Sequence, residues 1–192
     1  VEDAFRRCGV RWLELPDSIE KIGEAAFYWC QYLESIAIPN GVTRIDKDTF
    51  GYCYSLKSVS IPESVKYINK DAFDNCTGLK HITFTGNAPI TIHNYAFYAA
   101  SNLREVTFPE DIQLASGEAF YKSYNIERLH GPDVNEDGIS LVVGDELRYV
   151  APKGLVNYTT PSGVTRLDYG VLSDKPELKT VVFSDEVLSV GS

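Results

Sequence analysis

The sequence predicts a repeat solenoid, and three observations carry that prediction. Phenylalanines at positions 5, 27, 50, 73, 97 and 120 are separated by steps of 22, 23, 23, 24 and 23 residues. A near-constant period in this range marks a chain built from stacked coils. A fixed skeleton travels with each Phe. Ile45, Phe50, Cys53, Leu56, Val59, Ile61 and Pro62 recur upstream as Ile22, Phe27, Cys30, Leu33, Ile36, Ile38 and Pro39, and downstream as Ile68, Phe73, Cys76, Leu79, Ile82 and Phe84. Within the repeat, Val59 and Ile61 alternate with Ser58 and Ser60, the period of a strand with one face buried.

Each part of the unit has a physical reading. Phe50, Cys53 and Leu56 are three apart, so they predict one face of a short helical segment that only stacking could hold. Pro62 ends the strand because it lacks the N–H that continues a ladder. Val65 and Ile68 return the chain along a second side. One coil has too little apolar surface to close a core. About seven coils, spaced ~4.8 Å apart, would share one continuous interior.

These residues resemble the BspA-type leucine-rich repeat, with its pattern Ala-Phe-x-x-Cys-x-x-Leu-x-x-Ile-x-Ile-Pro. Ala26-Phe27 to Pro39 and Ala72-Phe73 to Ile82 fit closely, and Ala96-Phe97 to Pro109 fits apart from Ala100 at the Cys place. The resemblance implies a right-handed leucine-rich-repeat superhelix of short strands and short helical segments. It further implies a bacterial cell-surface or secreted location and a role in binding.

Taken in order, the first coil is one residue short between Cys8 and Pro16, which predicts that Trp12 and Leu13 fall slightly out of register. Coils two to four are regular. Thr85-Gly86-Asn87-Ala88-Pro89 replaces the single Pro after Phe84 and accounts for the longer step to Phe97. Coil six keeps Ile126 and Leu129 but has Ser123 for Cys and Gly131-Pro132 for Ile-Pro. The period then breaks. Ile139 to Val143 and Glu146 to Val150 flank Gly144-Asp145, which predicts an inserted β-hairpin near 133–157. The pattern resumes at Pro161, with Leu172 in place of Phe. The expected organisation is one solenoid domain over 1–192. Both ends stop inside a repeat, and this leads us to expect a longer parent protein.

Composition narrows the function classes. The 27 acidic and 18 basic residues give a formal charge of −9, without the basic stripe that nucleic acid or an anionic membrane requires. No apolar run approaches the ~18 residues of a membrane span. The four cysteines share one repeat position, at Cys8, Cys30, Cys53 and Cys76. Ala100 and Ser123 occupy that position in later coils, so buried free thiols are expected rather than a disulfide or a metal cluster.

Candidate sites follow. Asp133, Asn135, Asp137 and Gly138 match the first half of a calcium loop, but Gly144 stands where the bidentate Glu should be. A polar turn capped by Asx side chains is the simpler reading. His81 and His130 fall on outward strand positions of different coils. No Gly-x-Ser-x-Gly, His-Glu-x-x-His or phosphate-loop motif is present, so we expect no enzyme and no cofactor. Asn75-Cys76-Thr77 and Asn157-Tyr158-Thr159 match glycosylation acceptors, a short pattern that also arises by chance. Two surfaces remain. Outward strand positions form the columns Ser35, Ser58, His81, Glu105, Arg128 and Ala37, Ser60, Thr83, Thr107, His130. We expect a protein partner to lie across Ser35, Ser58, Ser60, His81, Thr83 and Glu105. The other surface carries Tyr28, Trp29, Tyr32, Tyr52, Tyr54, Tyr98, Tyr121 and Tyr124, which could anchor a glycan or simply pack between coils. A structural spacer for a distal domain is the remaining alternative.

Overall fold

Residues 2–191 are described by a computed structural model. Every regular element in it is a short strand of two to five residues. Two parallel ladders run up the stack. The first joins Trp12–Leu13, Ser35–Ala37, Ser58–Ile61 and His81–Phe84, and the second joins Arg44–Ile45, Tyr67–Ile68, Ile90–Ile92 and Ile112–Leu114. The first side continues as Glu105–Thr107 with Arg128–His130, then as Asn157–Thr159 with Thr180–Val182. Inward residues of this side, from Leu13 and Ile36 to Tyr158 and Val181, count eight coils where the period alone suggested seven.

Leu13 pairs with Ile36 and Trp12 with Ser35, so the short first coil is in register, against expectation. The missing residue is absorbed between Cys8 and Trp12, before the strand begins, and backbone pairing then restores the alternation.

The third side carries the Phe row. Phe5, Phe27, Phe50, Phe73, Phe97 and Phe120 stack with ring centroids 5.0–5.3 Å apart and planes within 13° of parallel. Phe27 to Phe120 are buried and Phe5 is partly so. Cys, Leu and Ile positions of each coil complete the interior.

The expected short helical segments on this side are absent among the described residues: the chain forms consecutive turns. The cause is a pair of left-handed residues flanking most of the Phe positions, two before and two after. They include Ala25 and Trp29 (φ 53° and 62°), Asp48 and Tyr52 (54° and 62°), and Asp71 and Asn75 (59° and 53°). A left-handed residue cannot propagate a right-handed helix. The hydrogen bonds alternate accordingly. Ala25, Phe27 and Trp29 donate N–H to the carbonyls of Lys47, Thr49 and Gly51 in the next coil, at 2.7–3.0 Å. Ala26, Tyr28 and Cys30 donate instead to Gly23, Ala25 and Phe27 within their own coil. Half of this backbone thus bonds between coils, which a helix would forbid.

The hairpin is present as Ser140–Val143 against Glu146–Val150, antiparallel, with Val143 opposite Glu146 across Gly144-Asp145. Gly144 has φ +64°, which a tight two-residue turn requires. The second hairpin strand is also a rung of the solenoid, since Leu147 pairs in parallel with Leu167, and Leu167 with Val190. Coil seven therefore runs from Leu147 to Tyr158 with no Phe turn. Tyr149 fills the space, fully buried with its ring 5.2 Å from that of Phe120.

On the turn side coil six consequently rests on coil eight. Gly117 donates its N–H to the Tyr169 carbonyl at 3.0 Å, and an added Cβ there would lie 2.6 Å from the Val171 nitrogen. The Lys122 N–H, which would meet a carbonyl in a regular stack, is capped by the Asp174 carboxylate, and the Tyr124 hydroxyl donates to its other oxygen at 3.0 Å.

Candidate functional site

Alternation along the first ladder sends every second side chain outward. Ser35, Ser58 and His81 pair in one column and Ser60 with Thr83 in the next, and all five are exposed. Glu105 is also exposed but sits beyond a break in the backbone ladder, opposite Arg128 in the separate pair of strands. Its carboxylate lies 3.5 Å from His130 Nε2. Trp12 heads the first column at 74% exposure, a large apolar face that the sequence pattern did not single out. The column before the strands carries charges that pair between coils, Lys57 with Glu34, and Arg104 with Glu127 at 2.9 Å.

The turn side carries the aromatic residues. Trp29 stacks on Tyr52 at 5.1 Å and 8°, while Tyr28 meets Tyr52 edge-on at 5.4 Å. Tyr98 stacks on Tyr121 at 5.9 Å. Half of these rings are open to solvent: Trp29, Tyr54 and Tyr124 are 36–40% exposed and Tyr32 51%. Packing between coils and availability to a ligand thus coexist.

Among these rings lie carboxylates that sequence reasoning missed. Asp48, Asp71 and Asp74 border a groove of about 400 Å³ together with Tyr28, Tyr52 and Tyr98. Burial, and then the charge of Asp71, pushes the Asp74 carboxyl up to about 6. Burial likewise raises Asp71, and the nearby Asp74 charge raises the Tyr52 phenol. Asp at 48 and 71 could have been flagged from sequence, because left-handed positions favour Asp and Asn.

The remaining candidates have structural uses. Asp137 accepts hydrogen bonds from the Ile139 and Ser140 N–H groups at 2.8 and 2.9 Å and from Ser140 Oγ at 2.6 Å. Its carboxylate thereby caps the turn into the hairpin. No group of acidic, His or Cys side chains suited to a metal ion occurs among the described residues, and Asp133 and Asn135 bring no further carboxylate to Asp137.

The four cysteines are free, Cys8 half-buried and the others buried. Each buried thiol bonds backward in the stack: Cys30, Cys53 and Cys76 donate Sγ–H to the carbonyls of Phe5, Phe27 and Phe50 at 2.9, 3.3 and 3.1 Å. Ser123 donates to Phe97 in the same way at 2.8 Å, which explains why Ser can replace Cys. Burial pushes the Cys53 and Cys76 thiols well above their ordinary range.

The BspA type leucine rich repeat region matches residues 1–127, in 6 copies. No curated protein matches the chain. A leucine-rich cell-surface protein of Faecalibacterium prausnitzii superposes with TM-score 0.66 at 20% identity, over 97% of this chain and 60% of that one. The pneumococcal vaccine antigen PcpA gives 0.67 at 21%, over 83% and 47%, and a leucine-rich repeat protein of Bacteroides ovatus gives 0.62 at 21%, over 100% and 66%. The chain therefore spans roughly half to two thirds of these structures. At such identity they speak to the fold. The repeated Ala-Phe-x-x-Cys-x-x-Leu skeleton, the stacked Phe row and the six matched copies agree, and the chain belongs to the BspA-type leucine-rich repeat family.

Proposed function

We propose that this chain is a non-catalytic extracellular binding module of a bacterial surface protein, and that it holds a protein partner across its strand face. The observation that carries this reading is the register of Ser35, Ser58 and His81 with Ser60 and Thr83 beside them, all exposed. Parallel strands turn each repeat position into a continuous column, so a partner chain can be read over several coils. The side chains are short, so ordering them on binding costs little conformational entropy. Glu105 and His130 add a polar edge, and the exposed Trp12 supplies an apolar anchor at the other end. The surface location is supported by the family and by the Faecalibacterium relative, a leucine-rich cell-surface protein.

The test is a binding screen against a panel of extracellular matrix proteins, followed by the Ser58→Arg/Thr83→Arg double variant. Both positions point outward, so the variant folds, and the two long side chains block docking. Unchanged binding by this variant, with loss on Trp29→Ala or Tyr52→Ala, would move the site to the turn side. Exposed Tyr32 and Tyr54 support a second reading, in which these rings stack on a glycan. A glycan array separates the two.

A further inference from the structure

The column one residue after each Phe reads Arg6, Tyr28, Gly51, Asp74, Tyr98 and Tyr121. Rings occupy it at Tyr28 and again at Tyr98 and Tyr121, and coils three and four interrupt it with a glycine and a carboxylate. A Cβ at Gly51 would lie 3.0 Å from the Tyr28 ring, so a larger residue there would crowd that ring. The interruption opens the groove of about 400 Å³ described above, with Tyr28 at one end, Tyr98 at the other and Asp74 between them. Asp48 and Asp71 flank it from the left-handed positions of the same two coils. Their charges are partly met by Lys47 at 3.4 Å and Lys70 at 3.9 Å. Among the described residues Asp74 has no ion pair; Asn75 donates to it at 2.8 Å, and the Tyr52 phenol lies beside it.

The chain itself displays what chemistry these rings accept. Just outside the groove, the Arg6 guanidinium lies 4.8 Å from the Tyr28 centroid. Lys122 Nζ lies 5.2 Å from the Tyr98 ring, and Lys70 Nζ lies 5.5 Å from that of Tyr95. Cations already lie against Tyr28, Tyr95 and Tyr98, and Lys47 and Lys70 reach Asp48 and Asp71, while among the described residues no cation pairs with Asp74. A planar guanidinium matches such a site: it stacks on a tyrosine face and donates in a fork to a carboxylate.

We propose that this groove binds an arginine side chain presented by a basic segment of a partner protein, with the Tyr98 ring as the stacking face and Asp74, in the adjacent coil, as the anion. The site lies on the turn side and does not depend on the strand-face reading. The overall charge of −9 draws such a segment in, and the groove provides the local geometry.

The experiment uses the chain as it stands, with amidated penta-arginine as the probe and penta-citrulline as its uncharged near-isostere, read by titration calorimetry at moderate salt. Penta-arginine is expected to bind at least about tenfold more tightly than penta-citrulline, since a hydrogen bond to a charged group is worth about that factor or more. Asp74→Asn is expected to lose about tenfold, while Asp185→Asn, the same charge change on exposed coil eight, leaves affinity unchanged. Should Asp74→Asn fold poorly, Tyr98→Leu replaces it and is expected to lose about threefold, the lost cation–π face. Equal binding of the two peptides overturns the proposal, as does no binding of penta-arginine. Equal losses for Asp74→Asn and Asp185→Asn overturn it too, because they would reduce the effect to net charge.

Discussion

Replacing Phe50 with alanine removes a ring that is fully buried, with Phe27 stacked at 5.3 Å on one side and Phe73 at 5.1 Å on the other. Truncating a buried Phe generally costs ~3–5 kcal/mol through lost transfer energy and the cavity left behind. Stacked pairs add ~0.5–1.5 kcal/mol each beyond their area, and here two are lost. The coils above and below are pinned by inter-coil hydrogen bonds, from Phe27 N–H to Thr49 and from Phe50 N–H to Ala72, so the cavity cannot collapse. The expected loss lies at the upper end, ~5 kcal/mol. Phe5 has one ring neighbour in the row, Phe27 at 5.1 Å, and is only partly buried, so Phe5→Ala should cost about half as much, ~2–3 kcal/mol. With a urea m-value of ~2–3 kcal/mol/M, the midpoints fall by ~2 M and ~1 M respectively. Far-UV circular dichroism in urea measures both. Equal shifts for the two variants would refute the claim that stability is carried by nearest-neighbour stacking along the Phe row.

Four further outcomes are expected. Thiol titration in urea without reductant finds all four cysteines, and in the folded protein Cys8 reacts before Cys30, Cys53 and Cys76; a count of two or none would reveal disulfides. Cys53→Ser should be tolerated better than Cys53→Ala, because serine can donate to the Phe27 carbonyl as Ser123 does to Phe97, and equal midpoints would contradict this. Asp137→Ala should cost ~2–3 kcal/mol, with faster amide exchange at Ile139 and Ser140; unchanged exchange would mean that the carboxylate is not the cap. The Asp74 carboxyl titrates at about 6 when folded against 3.8 as the ordinary value, so the folded state holds its proton more tightly. Its contribution to stability is present below about pH 4 and is lost as pH rises through 6. Asp74→Asn should therefore be more stable than the parent at pH 7.5 and no more stable at pH 4; a gain of the same size at both pH values would be the wrong result.

Much of this fold was legible because burial in a solenoid is periodic. Phe50, Cys53, Leu56, Val59 and Ile68 recur at fixed offsets, and each lies inside for the same reason, that the same backbone position recurs one coil higher. The outward columns, including Ser58 and Thr83, follow from the same alternation. Three features depended on tertiary structure. Spacing by three between Phe50, Cys53 and Leu56 suits a helix and a run of turns equally, and the choice was made by inter-coil hydrogen bonds that need residues in the left-handed region. The hairpin reads as an insertion in sequence, yet Leu147 pairs with Leu167, and coil six rests on coil eight through Gly117 and Asp174, contacts between residues some fifty positions apart. The groove at Asp74 arises from what neighbouring coils lack, a ring at Gly51 and a cation beside Asp74, and such an interruption has no period from which to be read.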